Sequence, residues 1–382
     1  MKRVGVCGLV VCLLLGLLPV VTRGAPAEVA AKSACLIDAA TGTVLYEQNA
    51  RQPLAPASVT KVMTMLLIME AIDSGKLSWE DTVTASEAAA AKGGSQIYLK
   101  VGETMTVKDM VKSIAVSSAN DCACAMAEHL AGSESSFVDN MNARAKELGM
   151  EDTHFVNCTG LDDGPDAASH LTSARDIALM SRELLTKHPD IKQFTTIWMD
   201  TVRGGTFGLS NTNKLVRFYP GATGLKTGFT SGAGYCLSAS ALREGMELIA
   251  VVMGSESSQE RFAACKSLLD YGFANYSLVV PETESGQVAV RLGTADTVQA
   301  VPSETPRLLI DKSQRDSVHT RLELKEQVEA PVSRGQRLGT LTVQAGEQVL
   351  QQIPLVAAEP VPRLTFAQLY LQLLKRICMG KP

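Results

Sequence analysis

The 382-residue sequence predicts an α+β protein in which helices pack on an antiparallel sheet, with an inserted helical lobe and a small C-terminal β-rich domain. Short strands come first, a series of helices follows, and further strands with a closing helix complete this part. From about residue 276 the chain changes to β-branched runs with frequent turns. Its length, with 46% hydrophobic and 20% charged residues, suits two globular domains.

Alternation of apolar and polar residues predicts the strands, and an apolar spacing of three to four predicts the helices. A first pair of strands is expected around the turn at Thr41-Gly42, and Gly75 ends the first helix. In the first part we predict strands over residues 34–38, 44–47, 233–242 and 247–254, and helices over 59–74, 106–116, 121–130, 137–148, 173–185 and 259–271. In the second part the best strands are 288–292, 307–310, 338–343 and 349–355.

The two ends of the chain carry apolar segments of different kinds. Residues 1–27 join a basic start to an uncharged apolar run and small residues, which is typical of a cleaved secretory signal; a retained membrane helix is the alternative. Residues 365–377 form an amphipathic helix too short to span a bilayer, which predicts a helix in the membrane interface. A helix docked on the second domain, or a dimer seam, is the alternative. We therefore expect a signal peptide at 1–27, a catalytic domain at 28–275, a β-rich domain at 276–357, and a linker with an anchoring helix at 358–382.

Composition and residue counts exclude several classes of function. Loss of the signal lowers the formal net charge from −4 to −7, which gives no reason to expect nucleic acid as a partner. Of nine cysteines, seven remain after cleavage, and we interpret most of them as small buried apolar residues. The five histidines show no His-Glu-x-x-His and no other paired ligand spacing, so we expect no metal and no cofactor.

Ser58 is the first residue that points to chemistry. It stands at the start of the first helix with Lys61 three positions later, so hydroxyl and amine lie on one face, one turn apart. The helix N-terminus offers free N–H groups to a developing oxyanion, and a lysine kept neutral by its surroundings can act as a base. A capping serine beside a solvated lysine is the alternative, because this spacing also occurs by chance.

Two further motifs favour the catalytic interpretation. Ser118-Ala119-Asn120 is the only Ser-x-Asn in the chain and falls in the break between two helices. Lys226-Thr227-Gly228 is the only Lys-Thr-Gly and begins a strand-like run. The order Ser-x-x-Lys, Ser-x-Asn, Lys-Thr-Gly is the signature of penicillin-recognising serine enzymes.

At these residues the sequence resembles the serine D-alanyl-D-alanine carboxypeptidases, the low-molecular-mass penicillin-binding proteins. The likeness is strong over residues 30–275 and includes Gly160-Leu161-Asp162 and Ser173-Ala174-Arg175-Asp176. It implies a β-lactamase/DD-peptidase-like fold and removal of the terminal D-Ala from peptidoglycan stem peptides through a serine acyl-enzyme that penicillin also forms. It further implies an exported protein of cell wall biogenesis and cell shape, peripheral on the outer face of the cytoplasmic membrane.

The resemblance also implies roles for the residues that carry it. Ser58 would attack the carbonyl between the two D-Ala residues, Lys61 would take its proton, and Ser118 would pass a proton to the leaving amine. Asn120 would hold Lys61 and the substrate amide. Lys226 would orient Ser118 and supply positive potential near the substrate carboxylate, and desolvation and the Lys226 charge together would lower the pKa of Lys61.

The remaining implied roles concern the bound substrate. Thr227, followed by Gly228, would add a hydroxyl to the carboxylate contact. Backbone N–H groups of Ser58 and Phe229 would form the oxyanion hole. Arg261 aligns with a family arginine linked to carboxylate recognition, and a surface helix arginine is the alternative.

Rival functions stay open on the sequence alone. A DD-endopeptidase or transpeptidase would share all three motifs. A β-lactamase shares two of them, but class A members add a Glu-x-x-Leu-Asn string that is absent here. In a non-catalytic wall-binding protein we would expect degenerate catalytic residues, and all are intact. Physiological role, stem-peptide preference and oligomeric state do not follow from the sequence.

Overall fold

A computed structural model describes residue 26 and residues 29–282 and 285–379, so the predicted signal at 1–27 lies outside the described residues apart from Pro26. The strands are β1 (Ser33–Asp38), β2 (Val44–Gln48), β3 (Thr82–Thr84), β4 (Thr104–Thr106), β5 (Met199–Val202), β6 (Phe207–Ser210), β7 (Ala222–Thr230), β8 (Gly234–Arg243), β9 (Met246–Ser255), β10 (Tyr276–Val279), β11 (Gly286–Arg291), β12 (Thr297–Pro302), β13 (Leu308–Asp311), β14 (Val318–Leu324), β15 (Gln327–Glu329), β16 (Arg337–Ala345) and β17 (Gln348–Ala357). The helices are α1 (Lys61–Asp73), α2 (Glu87–Ala90), α3 (Val107–Ser117), α4 (Asn120–Ala131), α5 (Glu134–Glu147), α6 (Ala174–Lys187), α7 (Lys192–Thr195), α8 (Leu215–Phe218), α9 (Ser258–Asn275) and α10 (Phe366–Met379).

The first part of the chain is built on an antiparallel sheet with the strand order β2-β1-β9-β8-β7. In β9, Ile249 and Val251 join the core that contains α1 and α3–α6, whereas Leu248 and Ala250 pack with α9. Successive side chains of a strand point to opposite faces, so helices cover both faces of the sheet, and β9 is apolar from Leu248 to Met253. The predicted α+β architecture with a helical lobe is confirmed.

The segment around Ser58 differs from the prediction in its local geometry. A regular helix was expected from residue 59, but Ala57–Thr60 form a 3-10 turn and the α-helix starts at Lys61. Ala57 has a positive φ of 49°, so the chain enters this turn from a left-handed conformation. Ser58 therefore lies in a tight turn directly before α1, with its side chain half-buried.

The second part contains a six-stranded sheet with the order β14-β16-β17-β12-β11-β15, in which only the β11–β15 pair is parallel. Its four predicted strands are present, and β10, β12, β14 and β15 were missed. In β14, half-buried and exposed residues alternate, so this strand lacks the apolar side that marks a strand in sequence. The β-rich character is confirmed, and the domain boundary at residue 276 stays a prediction.

The cysteines agree with the sequence interpretation wherever they are described. Six are buried and unpaired: Cys35, Cys122, Cys124, Cys158, Cys236 and Cys265. Burial raises the thiol pKa, to about 12 for Cys35 and about 11 for Cys236, so these thiols stay protonated and uncharged. They therefore behave as small apolar core residues.

Candidate active site

Ser58 and Lys61 meet at the start of α1. Lys61 Nζ lies 3.0 Å from Ser58 Oγ and donates a hydrogen bond of 2.7 Å to the main-chain oxygen of Thr159. A carbonyl oxygen only accepts, so Thr159 fixes the direction of one N–H of the amine. In the neutral amine the nitrogen lone pair can then face the Ser58 hydroxyl. Thr159 was missed in the sequence, because a main-chain acceptor leaves no mark on residue type.

The environment of Lys61 favours this neutral form. The side chain is fully buried, and burial lowers its pKa from the usual 10.5 to about 7, against the opposing influence of Cys158 and Asp121. A buried ammonium loses its hydration, which is why the uncharged form gains. Lys61 can therefore act as a base near neutral pH.

Lys226 lies on β7 and is also buried. Burial holds its pKa well below the usual range, and the charges of Lys61 and Arg261 add to this effect. We expected burial and the charge of Lys226 to lower the pKa of Lys61 together. Burial does so, whereas the repulsion between the two amines lowers the pKa of Lys226. Burial is thus the main cause that lowers the pKa of both lysines.

Ser118 and Asn120 come from the break between α3 and α4. Ser118 is buried in the left-handed region, with φ 63° and ψ 29°, and Asn120 begins α4. Asn120 Nδ2 donates to the main-chain oxygen of Gly93 at 2.7 Å, and its Oδ1 is buried with no hydrogen-bond partner among the described residues. The partners of Lys61 are thus Ser58 and Thr159 rather than the expected Asn120, whose Oδ1 is left as an open acceptor.

Strand β7 closes the site beside the Ser58 turn. It is an edge strand, and a Cβ atom at Gly228 would lie 2.6 Å from Pro56 O and 3.1 Å from Ser58 N. Only glycine allows this close approach. The neighbouring Phe229 is 53% exposed, with its ring centroid 4.3 Å from that of Tyr235. Main-chain groups of the turn and of β7 therefore border the same small space.

The hydrogen bonds of Lys226 and Thr227 differ from the implied roles. Lys226 Nζ donates to the main-chain oxygen of Thr227 at 2.8 Å, where an interaction with Ser118 was expected. The Thr227 hydroxyl donates to Thr212 Oγ1 at 2.6 Å. Thr212 was missed in the sequence, because no motif surrounds it.

Arg261 lies behind β7 and is not the surface residue considered as an alternative. It is only 8% exposed, and its Nη1 donates to the main-chain oxygens of Gly228 at 2.9 Å and Cys236 at 3.4 Å. Burial lowers the pKa of its guanidinium from the usual value. In this arrangement Arg261 supports the strand that carries Lys226 and Phe229.

The site as a whole unites a serine hydroxyl, a buried amine that can be neutral, a second buried amine and an open amide acceptor. These groups are sufficient for acyl transfer to a serine and hydrolysis of the resulting ester. Among the hydrogen bonds of the described residues, the side chain that contacts Ser58 Oγ is the amine of Lys61.

The family models and the related proteins that match this chain agree with one another. Residues 20–257 match the family described as D-alanyl-D-alanine carboxypeptidase, and residues 273–363 match the one described as penicillin-binding protein 5, C-terminal domain. D-alanyl-D-alanine carboxypeptidase DacF of Bacillus subtilis (strain 168) is 45% identical over 343 residues, covering 88% of this chain and 87% of that protein.

Two solved structures are similar as well. Penicillin binding protein 5 from Haemophilus influenzae has a TM-score of 0.75 at 30% identity, covering 89% of this chain and 99% of that chain. Penicillin-Binding Protein D2 from Listeria monocytogenes, in its ampicillin-bound form, has a TM-score of 0.57 at 32% identity, covering 65% of this chain and 100% of that chain.

Proposed function

This chain belongs to the D-alanyl-D-alanine carboxypeptidase family, and we propose that Ser58 is its nucleophile and Lys61 its base. The protein is a serine-type carboxypeptidase that removes the terminal D-Ala from peptidoglycan stem peptides through an acyl-enzyme, and penicillin acylates it. The observation that carries the residue assignment is the 3.0 Å approach of a fully buried amine to the Ser58 hydroxyl.

Acylation would begin with attack of Ser58 Oγ on the carbonyl carbon between the two D-Ala residues. Lys61 Nζ takes the hydroxyl proton as the new C–O bond forms, and the carbonyl oxygen becomes an oxyanion. Collapse of the oxyanion breaks the C–N bond, and Ser118 relays the proton held by Lys61 to the departing amine of D-Ala, which leaves Lys61 neutral again. Water then attacks the ester; Lys61 takes a proton from the water and returns it to Ser58 Oγ as the ester C–O bond breaks, which restores the Ser58 hydroxyl.

Substrate binding would use the groups that border Ser58. The N–H groups of Ser58 and Phe229 stabilise the oxyanion, and loss of one such donor typically lowers the rate by about 10²–10³-fold. The open Oδ1 of Asn120 accepts the substrate amide N–H. The Lys226 amine, which donates to the main-chain oxygen of Thr227, and the Thr227 hydroxyl attract the terminal carboxylate.

The test is a direct assay on a stem pentapeptide. The mature protein should release D-Ala, and Ser58→Ala should release none while keeping the wild-type circular dichroism spectrum. A fluorescent penicillin should label the wild type and leave Ser58→Ala unlabelled. Labelling that survives the substitution would place the nucleophile elsewhere.

We propose in addition that the protein is exported through residues 1–27 and rests on the outer face of the cytoplasmic membrane through α10. Large exposed apolar side chains support this contact: Phe366, Tyr370, Leu371, Leu373, Leu374 and Ile377. Full burial of one such side chain yields about 1.5–3 kcal/mol, so partial immersion of several can hold a helix at the interface. Across the part of the chain that the structure describes, no helix has both the length and the apolar character needed to cross a bilayer.

Deletion of residues 364–382 tests this proposal. The truncated protein should leave the membrane fraction and keep its carboxypeptidase activity, because none of the site residues is removed. A truncated protein that still sediments with anionic vesicles, or that unfolds, would contradict the proposal.

A further inference from the structure

A chain of hydrogen bonds ends on the carbonyl oxygen of Ala57, directly before the nucleophile. Val156 N–H donates to Nδ1 of His170 at 3.0 Å, and Nε2 of that ring lies 2.8 Å from Thr60 Oγ1. Thr60 Oγ1 in turn lies 2.8 Å from Ala57 O and donates to it. Ala57, Thr60 and His170 are all buried. The proposed reaction uses neither the Thr60 nor the His170 side chain.

The atom types fix the direction of every bond in this chain. The Val156 N–H only donates, so Nδ1 of His170 accepts and the ring proton is on Nε2. Nε2 therefore donates to Thr60, which leaves the threonine hydrogen for the Ala57 oxygen. Burial is the main cause that lowers the pKa of His170 to about 4, so the ring has the neutral form that this pattern requires.

The Ala57 carbonyl belongs to the same peptide unit as the Ser58 N–H. A peptide unit is planar and trans, so its C=O and N–H point in opposite directions and fixing one fixes the other. Ala57 has a φ of 49°, which non-glycine residues rarely adopt without support. Gly160 leaves the space for this peptide, because a Cβ atom there would collide with the Ala57 oxygen. The hydrogen bond from Thr60 thus holds a strained peptide in one orientation.

On its N–H side this peptide approaches β7, since a Cβ atom at Gly228 would lie 3.1 Å from Ser58 N. We propose that Thr60 and His170 are positioning residues that aim the Ser58 N–H at the oxyanion. The proposal rests on the proposed function, in which Ser58 is the nucleophile and its N–H shares the oxyanion with Phe229 N–H. Neither Thr60 nor His170 touches the substrate; both act through the Ala57–Ser58 peptide.

The first test removes the last hydrogen bond of the chain. Thr60→Val keeps the side-chain shape and removes the side-chain donor to the Ala57 oxygen. Acylation and deacylation both pass through a tetrahedral oxyanion, so a badly aimed N–H should lower both rate constants with benzylpenicillin by about 10–100-fold. The affinity of the complex before covalent bonding should stay unchanged. Thr60→Ser restores the hydroxyl and should stay within about threefold of the wild type.

Thr64→Val is the matched control. Thr64 lies one turn further along α1, is equally buried and donates to the main-chain oxygen of Cys158 at 2.7 Å, away from the Ala57–Ser58 peptide. Both valine variants should lose similar thermal stability, and only Thr60→Val should lose rate. Equal losses of rate in the two variants, or wild-type rates in a folded Thr60→Val, would overturn the proposal.

A pair of histidine variants keeps the proposal testable if Thr60→Val does not fold. His170→Gln retains an amide N–H that can reach Thr60, whereas His170→Phe has no donor. The glutamine variant should acylate about tenfold faster than the phenylalanine variant; equal rates in folded proteins contradict the proposal. Failure of the proposed function has a different outcome, because the wild type itself would then form no penicilloyl ester at Ser58.

Discussion

The two parts of the molecule depart from ordinary burial in opposite ways. The catalytic part buries charged and amide groups in its interior, among them Lys61, Asn120, Lys226 and Arg261. From residue 276 onward, the buried polar residues that the structure describes are only Ser277 and Thr342. That second part instead exposes large apolar side chains along α10.

The difference shows what each part is able to do. Burial of an amine is unfavourable for its charged form, which lowers the pKa of Lys61 to about 7 and suits this residue to its proposed role as the base. Exposure of apolar side chains is unfavourable in water, and this is the basis of the membrane contact proposed for α10. Apolar side chains are usually buried and polar ones exposed. In both parts, the groups that carry the proposed function are exceptions to this rule.

Exchange of the buried lysines should give the largest effect on the catalytic part. Arginine stays protonated because its pKa is above about 12, so Lys61→Arg should lower penicillin acylation by on the order of 10³-fold or more. Lys226→Arg keeps the positive charge and should lower acylation by about 10–100-fold. Stopped-flow acylation rates, with circular dichroism as a check on folding, measure both. Equal tolerance at the two positions would refute the assigned roles.

Added charge on α10 tests whether its exposed apolar side chains bind a membrane surface. Phe366 and Ile377 are the most exposed apolar residues of this helix, at 85% and 78%. Phe366→Glu with Ile377→Glu should weaken binding to anionic vesicles by about 100-fold, because two apolar side chains are lost from the contact and two negative charges are added. Gln368→Glu with Gln372→Glu adds the same charge on the other side of the helix and should have a smaller effect. Equal losses in the two double variants would mean that charge alone governs binding.

Substitution of Arg261 tests which of two roles this residue has: support of β7 or contact with the substrate. Arg261→Lys removes the hydrogen bonds that the guanidinium donates to two main-chain oxygens, so kcat/KM should fall by about tenfold. The factor should be the same for a pentapeptide and for its analogue with an amidated terminus. A loss confined to the substrate with a free carboxylate would instead show that Arg261 recognises that group.

The smallest expected effect concerns stability. Lys61 has a pKa of about 7 in the folded protein and about 10.5 when unfolded, so the unfolded chain binds more protons between these values. The contribution of Lys61 to the free energy of unfolding therefore rises as pH increases from about 7 to about 10.5. Lys61→Met should gain free energy of unfolding on the order of 1 kcal/mol at pH 7 and below, and the gain should shrink toward pH 10. A gain independent of pH would mean that Lys61 is not desolvated.

The sequence suggests site residues only where the chemistry lies in short contiguous motifs. Ser58 with Lys61, Ser118 with Asn120, and the Lys226 strand could each be proposed from residue types and spacing. The partners of these motifs could not, because they come from distant segments: Thr159 is 98 residues from Lys61, and His170 is 110 residues from Thr60. Thr159 also acts through its main chain, which residue type does not reveal.

The same reasoning applies to the fold. Helices and strands with a clear apolar side were predicted, as in α6 and β9. Short strands were missed, and so was β14, in which half-buried and exposed residues alternate. Such segments become strands because they pair with neighbouring strands, and their own residue pattern does not show it. The start of α1 was predicted as regular helix, since nothing in Ala57 itself indicates a left-handed conformation.

The most direct measurement is the pH dependence of acylation, with the modified residue identified by mass spectrometry. Lys61 must lose its proton before it can accept the one from Ser58, so the acylation rate constant should rise with pH and reach half its plateau at about pH 7, the pKa of Lys61. The penicilloyl group should be found on Ser58 alone. A rate that stays constant between about pH 5 and 9, or a label on another residue, would contradict a neutral lysine acting as base for Ser58.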